Sequence, residues 1–330
     1  MQVQRCTIFY LYNLSITCVV TPSDPQLRSL QFHNLAIASP TLVFDGTAPM
    51  IHTETGVDPI LCAPLLRKVD AKLIELLRSL TPAEWDLPTI AGAWRVRDIA
   101  AHLLDTPLRK LSLVRDGCSV EPVAIRSAQD LADFVNRLNR EGVAVYRRLS
   151  PPLLIDLMQL ACSASAGFHE SLDPFAQAIF SVSWAGEDTS LNWFDTAREL
   201  TERWHHQQQI RLATNRPGIQ TPEFYHPVLD CFVRALPHHY RHAAVPPATT
   251  LMLKIDGPCG GIWLLEREAH RWSFVREAPS APTATVVIPE EIAWRVFTKG
   301  IDRASALAQT SIEGDRALGE RLLNLTAIVG

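Results

Sequence analysis

Between Asp58 and Thr214 the chain repeats apolar residues at three- and four-residue spacing, the pattern a helix needs to bury one face. Leu61, Leu65, Leu66, Val69, Leu73, Leu76, Leu77 and Leu80 predict a first helix over 58–80. Thr81-Pro82-Ala83-Glu84 has the grammar of a further helix start, with Thr81 as N-cap, Pro82 at the first helical position and Glu84 two residues on. A second long helix is predicted from about Arg95 to Asp116, stopped by Gly117 as a left-handed terminator. A third begins near Ser127 and breaks at Ser150-Pro151-Pro152, and a shorter apolar one follows to about Ala164. Residues 165–193 read as loop, with a short extended stretch at Phe180–Trp184. A last strong helix runs from Phe194 to Thr214, ended by Asn215-Arg216-Pro217-Gly218. Helices of this length joined by short breaks imply an antiparallel bundle.

After a connecting helix near 222–242 the texture changes. Ala243–Pro247 reads as a linker, followed by the β-type runs Thr249–Ile255, Ile262–Arg267, Trp272–Arg276 and Ala284–Ile288. Pro289 opens another helical stretch, and two short helical segments are expected within Ser305–Val329. The expected organisation is an extension over 1–49, a helical domain over 50–217, a connecting helix and linker over 218–247, and a small α+β domain over 248–330. The extension is expected to be disordered. Its apolar run at 7–20 is interrupted by Asn13, Ser15 and Thr17, too short to span a bilayer and too far from Ala36-Ile37-Ala38 for signal-peptide grammar. Met50 is therefore the expected natural start.

A net charge of −4 argues against a surface built for nucleic-acid phosphates, which needs clustered Lys and Arg. Seven scattered cysteines, without a C-x-x-C pair, imply reduced thiols and a cytoplasmic location rather than a disulfide framework. No membrane partner is expected.

Most of the histidines lack ligand spacing. His238-His239 and His242 read as an exposed cluster at a helix end. Glu202 and His206 differ, because four residues put them on one helix face a single turn apart. Spacing alone leaves a solvated face, with Glu202 paired to a neighbouring cation, as the ordinary alternative. It also leaves His205 open as a partner of Glu202. His102 lies between Ile99 and Leu103 at the edge of a buried face, where a histidine is ordinarily a hydrogen-bonded core residue. Asp98 and Asp105, one turn to either side, are positioned to orient its ring or to face water.

The stretches Trp94-Arg-Val-Arg-Asp98-Ile-Ala-Ala-His102-Leu and Glu199-Leu-Thr-Glu202-Arg-Trp-His-His206-Gln-Gln-Gln-Ile-Arg211 resemble the mycothiol-dependent maleylpyruvate isomerase group of the DinB-like superfamily. Val182-Ser183-Trp184 through Gly186 to Trp193 is similar to the segment entering that family's last bundle helix. The resemblance covers about 55–215. It implies an all-α DinB-like four-helix bundle with a histidine on the second helix and Glu-x-x-x-His on the last, which fall on His102, Glu202 and His206 as metal ligands. Phe297-Thr-Lys-Gly300, Ala304, Ala308 and Ile312-Glu-Gly314-Asp315 resemble the sterol-carrier-like α+β module that follows the bundle.

Two imidazoles and one carboxylate form a set suited to a divalent metal, zinc first, with a coordination position open. The resemblance implies a low-molecular-weight thiol, mycothiol-like, as cosubstrate, and a small electrophilic molecule as substrate. The reaction would then be a maleylpyruvate-type isomerisation or a thiol S-transfer. The same ligands with water would give a hydrolase, and a structural or missing metal would leave a small-molecule or lipid-binding protein. The α+β domain is expected to close over the centre and supply an arginine, since the helices offer few cations that sequence can place beside the motif.

Overall fold

The computed structural model describes residues 57–118, 127–277 and 281–327, together with an antiparallel strand pair, β1 (Cys6–Tyr10) and β2 (Leu14–Cys18). Apart from those strands, the expected extension over 1–49 and the expected start at Met50 lie outside the described residues.

The first helix, α1, spans Ala63–Ser79 and buries Leu66, Val69, Leu73, Leu76 and Leu77 along one side. The next expected start is present but goes nowhere. The Thr81 amide and hydroxyl both donate to Glu84 Oε2, at 2.7 and 2.8 Å, yet only one 3₁₀ turn forms at Glu84–Asp86. Pro88 then forces extended backbone, and the chain pairs Pro88 with Arg95 in a single β-bridge.

Helix α2 (Val96–Lys110) opens where Asp98 reaches back to accept from the Arg95 amide at 3.0 Å. It carries Pro107 and runs on as a π-type turn over Leu111–Arg115. Gly117, at φ +63°, ends that extension in the left-handed conformation its position predicts. Helix α3 (Ala128–Tyr146) is capped by Ser127, whose hydroxyl accepts from the Asp130 amide at 3.1 Å. Gly142 is needed there because a Cβ would meet the Asp105 carboxyl of α2 at 2.3 Å.

Helix α4 covers Pro151–Ser171, seven residues beyond the expected end at Ala164. Residues 165–171 fall in the stretch that the sequence predicts as loop. Packing on α1 buries Ser165 and Ala166 and carries the helix through them. The expected extended stretch at Phe180–Trp184 is instead irregular backbone with a 3₁₀ turn at Ser183–Ala185. Helix α5 (Asn192–Thr214) ends on Asn215 at φ +52°. Helix α1 packs on α4 and α5, and α2 on α3, α4 and α5.

The expected connecting helix divides into α6 (Pro222–Val233) and α7 (Leu236–Tyr240), because Pro237 has no amide to continue the ladder. A five-stranded sheet follows, built from β3 (Thr250–Asp256), β4 (Gly261–Arg267), β5 (Trp272–Val275), β6 (Ala284–Pro289) and β7 (Ser311–Gly314). Its order is β5-β4-β3-β6-β7, with β3 and β6 parallel and the other pairs antiparallel. Leu251, Leu253 and Ile255 alternate inward, and Ala284, Val286 and Ile288 do the same beside them. Helices α8 (Glu290–Phe297), α9 (Arg303–Ala308) and α10 (Arg316–Arg321) complete the region. Strand β7 corrects the sequence reading, which had only helical segments after Ser305. Four residues are too few to show a period, and pairing with β6 makes them a strand.

A helical region therefore precedes a small α+β region; one apolar cluster runs through both, and a second, around Leu73, Ile99, Leu104 and Met158, lies within the helices. Trp204 of α5 stacks on Tyr225 of α6 at 4.4 Å between centroids and 3° between planes, and meets Trp294 of α8 edge-on at 6.0 Å. Tyr225 donates to the Glu290 carbonyl at 2.7 Å and accepts from the Trp294 amide at 3.1 Å, so the stack is also hydrogen-bonded. No described helix is long and apolar enough to cross a membrane.

Candidate metal centre

Helix α5 buries charge along most of its length, which an amphipathic surface helix would not do. Asp195, Glu199, Arg203, His205, Gln207, Gln208, Gln209 and Arg211 are all buried. Each needs a partner inside the protein. Gln207 donates to the Val69 carbonyl at 2.9 Å, and Arg211 to the Lys72 carbonyl at 3.1 Å, which fixes the rotation of α5 against α1. Arg203 pairs with Asp70 and, at 3.2 Å, with Glu199, and donates to Ser165 at 2.7 Å. Lys110 from α2 bridges Asp195 at 3.0 Å and Glu199 at 3.2 Å.

This rotation turns Glu202 and His206 toward His102 of α2. His102 Nε2 lies 2.9 Å from Glu202 Oε1, and His206 Nε2 lies 3.3 Å from the same oxygen. One ligand atom from each of the three side chains falls within a 4.8 Å cluster. The two imidazoles meet edge-on at 4.6 Å, and Trp94 covers both, its ring 5.0 Å from His102 and 6.1 Å from His206. His102 is 2% exposed, whereas the Glu202 side chain keeps 31% of its surface. The centre thus opens on the Glu202 side.

It opens into a cavity of about 210 Å³. Leu131, Phe134 and Leu138 of α3 form one wall, Phe180 and Trp184 another, and Ala327 from the end of the α+β region touches it. Arg109, Lys110 and Arg198 line the same space. Arg109 is held by Asp105 at 2.6 Å and Asn139 at 2.7 Å, and Arg198 by Asp195 at 2.6 Å. The cations facing the cavity therefore come from α2 and α5, not from the α+β region as expected from sequence.

Burial lowers the His102 pKa, with the neighbouring His206 adding to the effect. Burial pushes Glu202 up, but the attraction of His206 and the hydrogen bonds from both imidazoles hold it well below the ordinary carboxylate range. The donor set is then a neutral ring, an ionised carboxylate and a second ring at close quarters. That chemistry fits a divalent cation, which would take up the repulsion-prone lone pairs now satisfied by shared protons.

The structure groups His206, not His205, with His102 and Glu202. His205 lies in core, 5% exposed, with its Nε2 at 2.9 Å from Gln209 and its ring 5.9 Å from Trp294. Asp98 and Asp105 do not orient His102. Asp98 binds the Arg95 amide and Arg147, Asp105 binds Arg109, and His102 Nδ1 is buried without a hydrogen-bond partner. His238 packs on Gly186, and His239 binds the Arg321 carbonyl at 2.8 Å, so these two are tied into the fold while His242 is exposed. Arg109 and Arg198 were legible in principle. Arg198 precedes Glu202 by four residues and Arg109 follows His102 by seven, so both share a helix face with a ligand.

Residues 66–211 match the family model of the mycothiol maleylpyruvate isomerase N-terminal domain. The matched segment contains His102, Glu202 and His206. Among solved structures, the chain is similar to two crystal structures of the mycothiol-dependent maleylpyruvate isomerase, one of them a mutant. Each shares 13% identity over 71% of this chain and 86% of that one, with TM-scores of 0.44 for the mutant and 0.42 for the other. No curated protein matches.

Proposed function

We propose that this chain is a divalent-metal-dependent enzyme that uses a low-molecular-weight thiol, as a maleylpyruvate-type isomerase or a thiol S-transferase. The helical region is read as a DinB-like four-helix bundle over 50–217, and the α+β region over 248–330 as a sterol-carrier-like module. The observation that carries the function is the convergence of His102, Glu202 and His206, with Glu202 lining a cavity that Arg109, Lys110 and Arg198 also line.

His102, Glu202 and His206 would hold the metal, zinc by the two-nitrogen, one-carboxylate donor set. When bound, such an ion lowers the pKa of a thiol beside it, which makes thiolate available near neutral pH. Arg109 and Arg198 would orient a carboxylate of substrate or thiol, for which a planar guanidinium pair is well shaped. Phe134, Phe180 and Trp184 would exclude water, which strengthens those charge contacts. The thiolate adds its electron pair to one carbon of a conjugated C=C, and the carbonyl end takes up the displaced pair. The resulting single bond rotates, and expulsion of the thiolate restores the double bond in the other geometry. In an S-transfer the adduct takes a proton and leaves as product.

The test is elemental analysis of freshly purified protein, followed by assay of a cis-configured unsaturated keto diacid with and without added low-molecular-weight thiol. One equivalent of metal and strictly thiol-dependent turnover are expected. Turnover without thiol would indicate hydrolysis by water, and protein lacking stoichiometric metal would overturn the reading.

A further inference from the structure

Gln209 stands between two adjacent histidines with its amide used at both ends. Its Oε1 lies 2.9 Å from Nδ1 of His206, and its Nε2 lies 2.9 Å from Nε2 of His205. A carboxamide has one accepting end and one donating end, so the two contacts are not interchangeable. The oxygen at His206 requires that ring to donate from Nδ1. Its Nε2, 3.3 Å from Glu202, is then the nitrogen whose lone pair can meet a cation. The NH₂ at His205 requires that ring to accept at Nε2.

The reverse orientation of the amide would have the opposite effect. An N–H facing His206 Nδ1 would confine the one proton of the neutral ring to Nε2, so that the neutral ring could not offer Nε2 to a cation. An acceptor at His205 Nε2 favours the observed orientation. That ring is buried and packed against Trp294 of α8 at 5.9 Å and 59°, a neighbour from the α+β region.

We propose that Gln209 is a positioning residue that fixes the His206 proton on Nδ1, and that His205 is the acceptor that locks the Gln209 amide in that orientation. The inference rests on the reading of His206 as a metal ligand, and it gives His205 a purpose other than ligation. It also shows how the α+β region bears on the centre, through Trp294 against His205, without lending it a charged group.

Two measurements test it. In metal-free wild-type protein, long-range ¹⁵N–¹H spectra should show a ring proton on Nδ1 of His206, whether or not Nε2 is also protonated. Competition against a chromophoric chelator should then show zinc held about ten- to a hundredfold more weakly by Gln209→Leu, the usual cost of losing a partner behind a ligand. Gln209→Glu keeps an acceptor at Nδ1 and should restore affinity to within about threefold of wild type. His205→Phe, which removes the lock and leaves the amide, should fall between the two. Thermal melts of each variant report folding separately. A wild-type His206 with its proton on Nε2 alone overturns the proposal, as does Gln209→Leu binding zinc as tightly as wild type. Wild-type protein that takes up no zinc defeats the metal reading instead, and the ring-proton result still decides the role of Gln209.

Discussion

His102 and Glu202 are one hundred positions apart in the chain, yet His102 Nε2 sits 2.9 Å from Glu202 Oε1. The contact joins α2 to α5, and it exists because α5 is locked in rotation by buried polar contacts on its opposite side. Arg203, one residue after Glu202, points into the Asp70 and Glu199 pair. That leaves Glu202 turned toward α2.

His102→Ala, Glu202→Ala and His206→Ala are each expected to abolish stoichiometric metal uptake while leaving a folded protein. His205→Ala should retain about one equivalent. Elemental analysis beside a thermal melt distinguishes the cases. Retention by His206→Ala with loss in His205→Ala would reverse the assignment of the second imidazole.

Arg203→Met should cost about 3–5 kcal/mol, the range for removing one partner of a buried ion pair, because Asp70 and Glu199 would be left without it. Urea unfolding measures this directly. A loss below about 1 kcal/mol, as for an exposed pair, would mean water reaches the network.

His169 should make the protein acid-sensitive. It is buried beside Thr196, and burial, with Lys110 adding to it, pushes its pKa down from 6.5 to about 3. Between those values the unfolded chain binds a proton that the folded chain does not. Stability therefore falls as pH drops below 6.5 and levels off near 3. Asp70 acts in the opposite sense, since burial raises it to about 6 and the folded state takes up its proton first as pH falls. Replacing His169 isolates its share. In His169→Gln the slope of unfolding free energy between pH 6 and 4 should decrease by up to about 1.4 kcal/mol per pH unit. An unchanged slope would show that His169 is protonated in the folded state.

A chain ended at Pro217 should lose its cooperative thermal transition. Sequence organisation suggests that the helical part stands alone, but Trp204 is fully buried against Tyr225 and Trp294, both beyond that point. Trp294→Ala in the full chain should cost about 3–5 kcal/mol, as for other large buried aromatics. A sharp, unshifted melt of the shortened chain would show that the two regions fold separately.

By itself the sequence determined what depends on local geometry. Apolar spacing marked α1, α2, α3 and α5, β-type runs between turn residues marked β3 to β6, and Gly117 and Asn215 marked the stops of the second and last long helices, because local backbone preferences are the same wherever an element lies. The i, i+4 relation put Glu202 and His206 on one face for the same reason. Tertiary structure decided the rest. Whether His205 or His206 joins Glu202 depends on which way α5 is rotated, and that is fixed by Gln207, Arg203 and Arg211 against α1. The last turns of α4 and the four residues of β7 carry too weak a local preference to declare themselves, and they take their form from the surfaces they meet. Helix spacing places Arg109 and Arg198 on the faces of their ligands, but not in one space until α2, α3 and α5 enclose it. Packing alone brought them to the same cavity as Glu202.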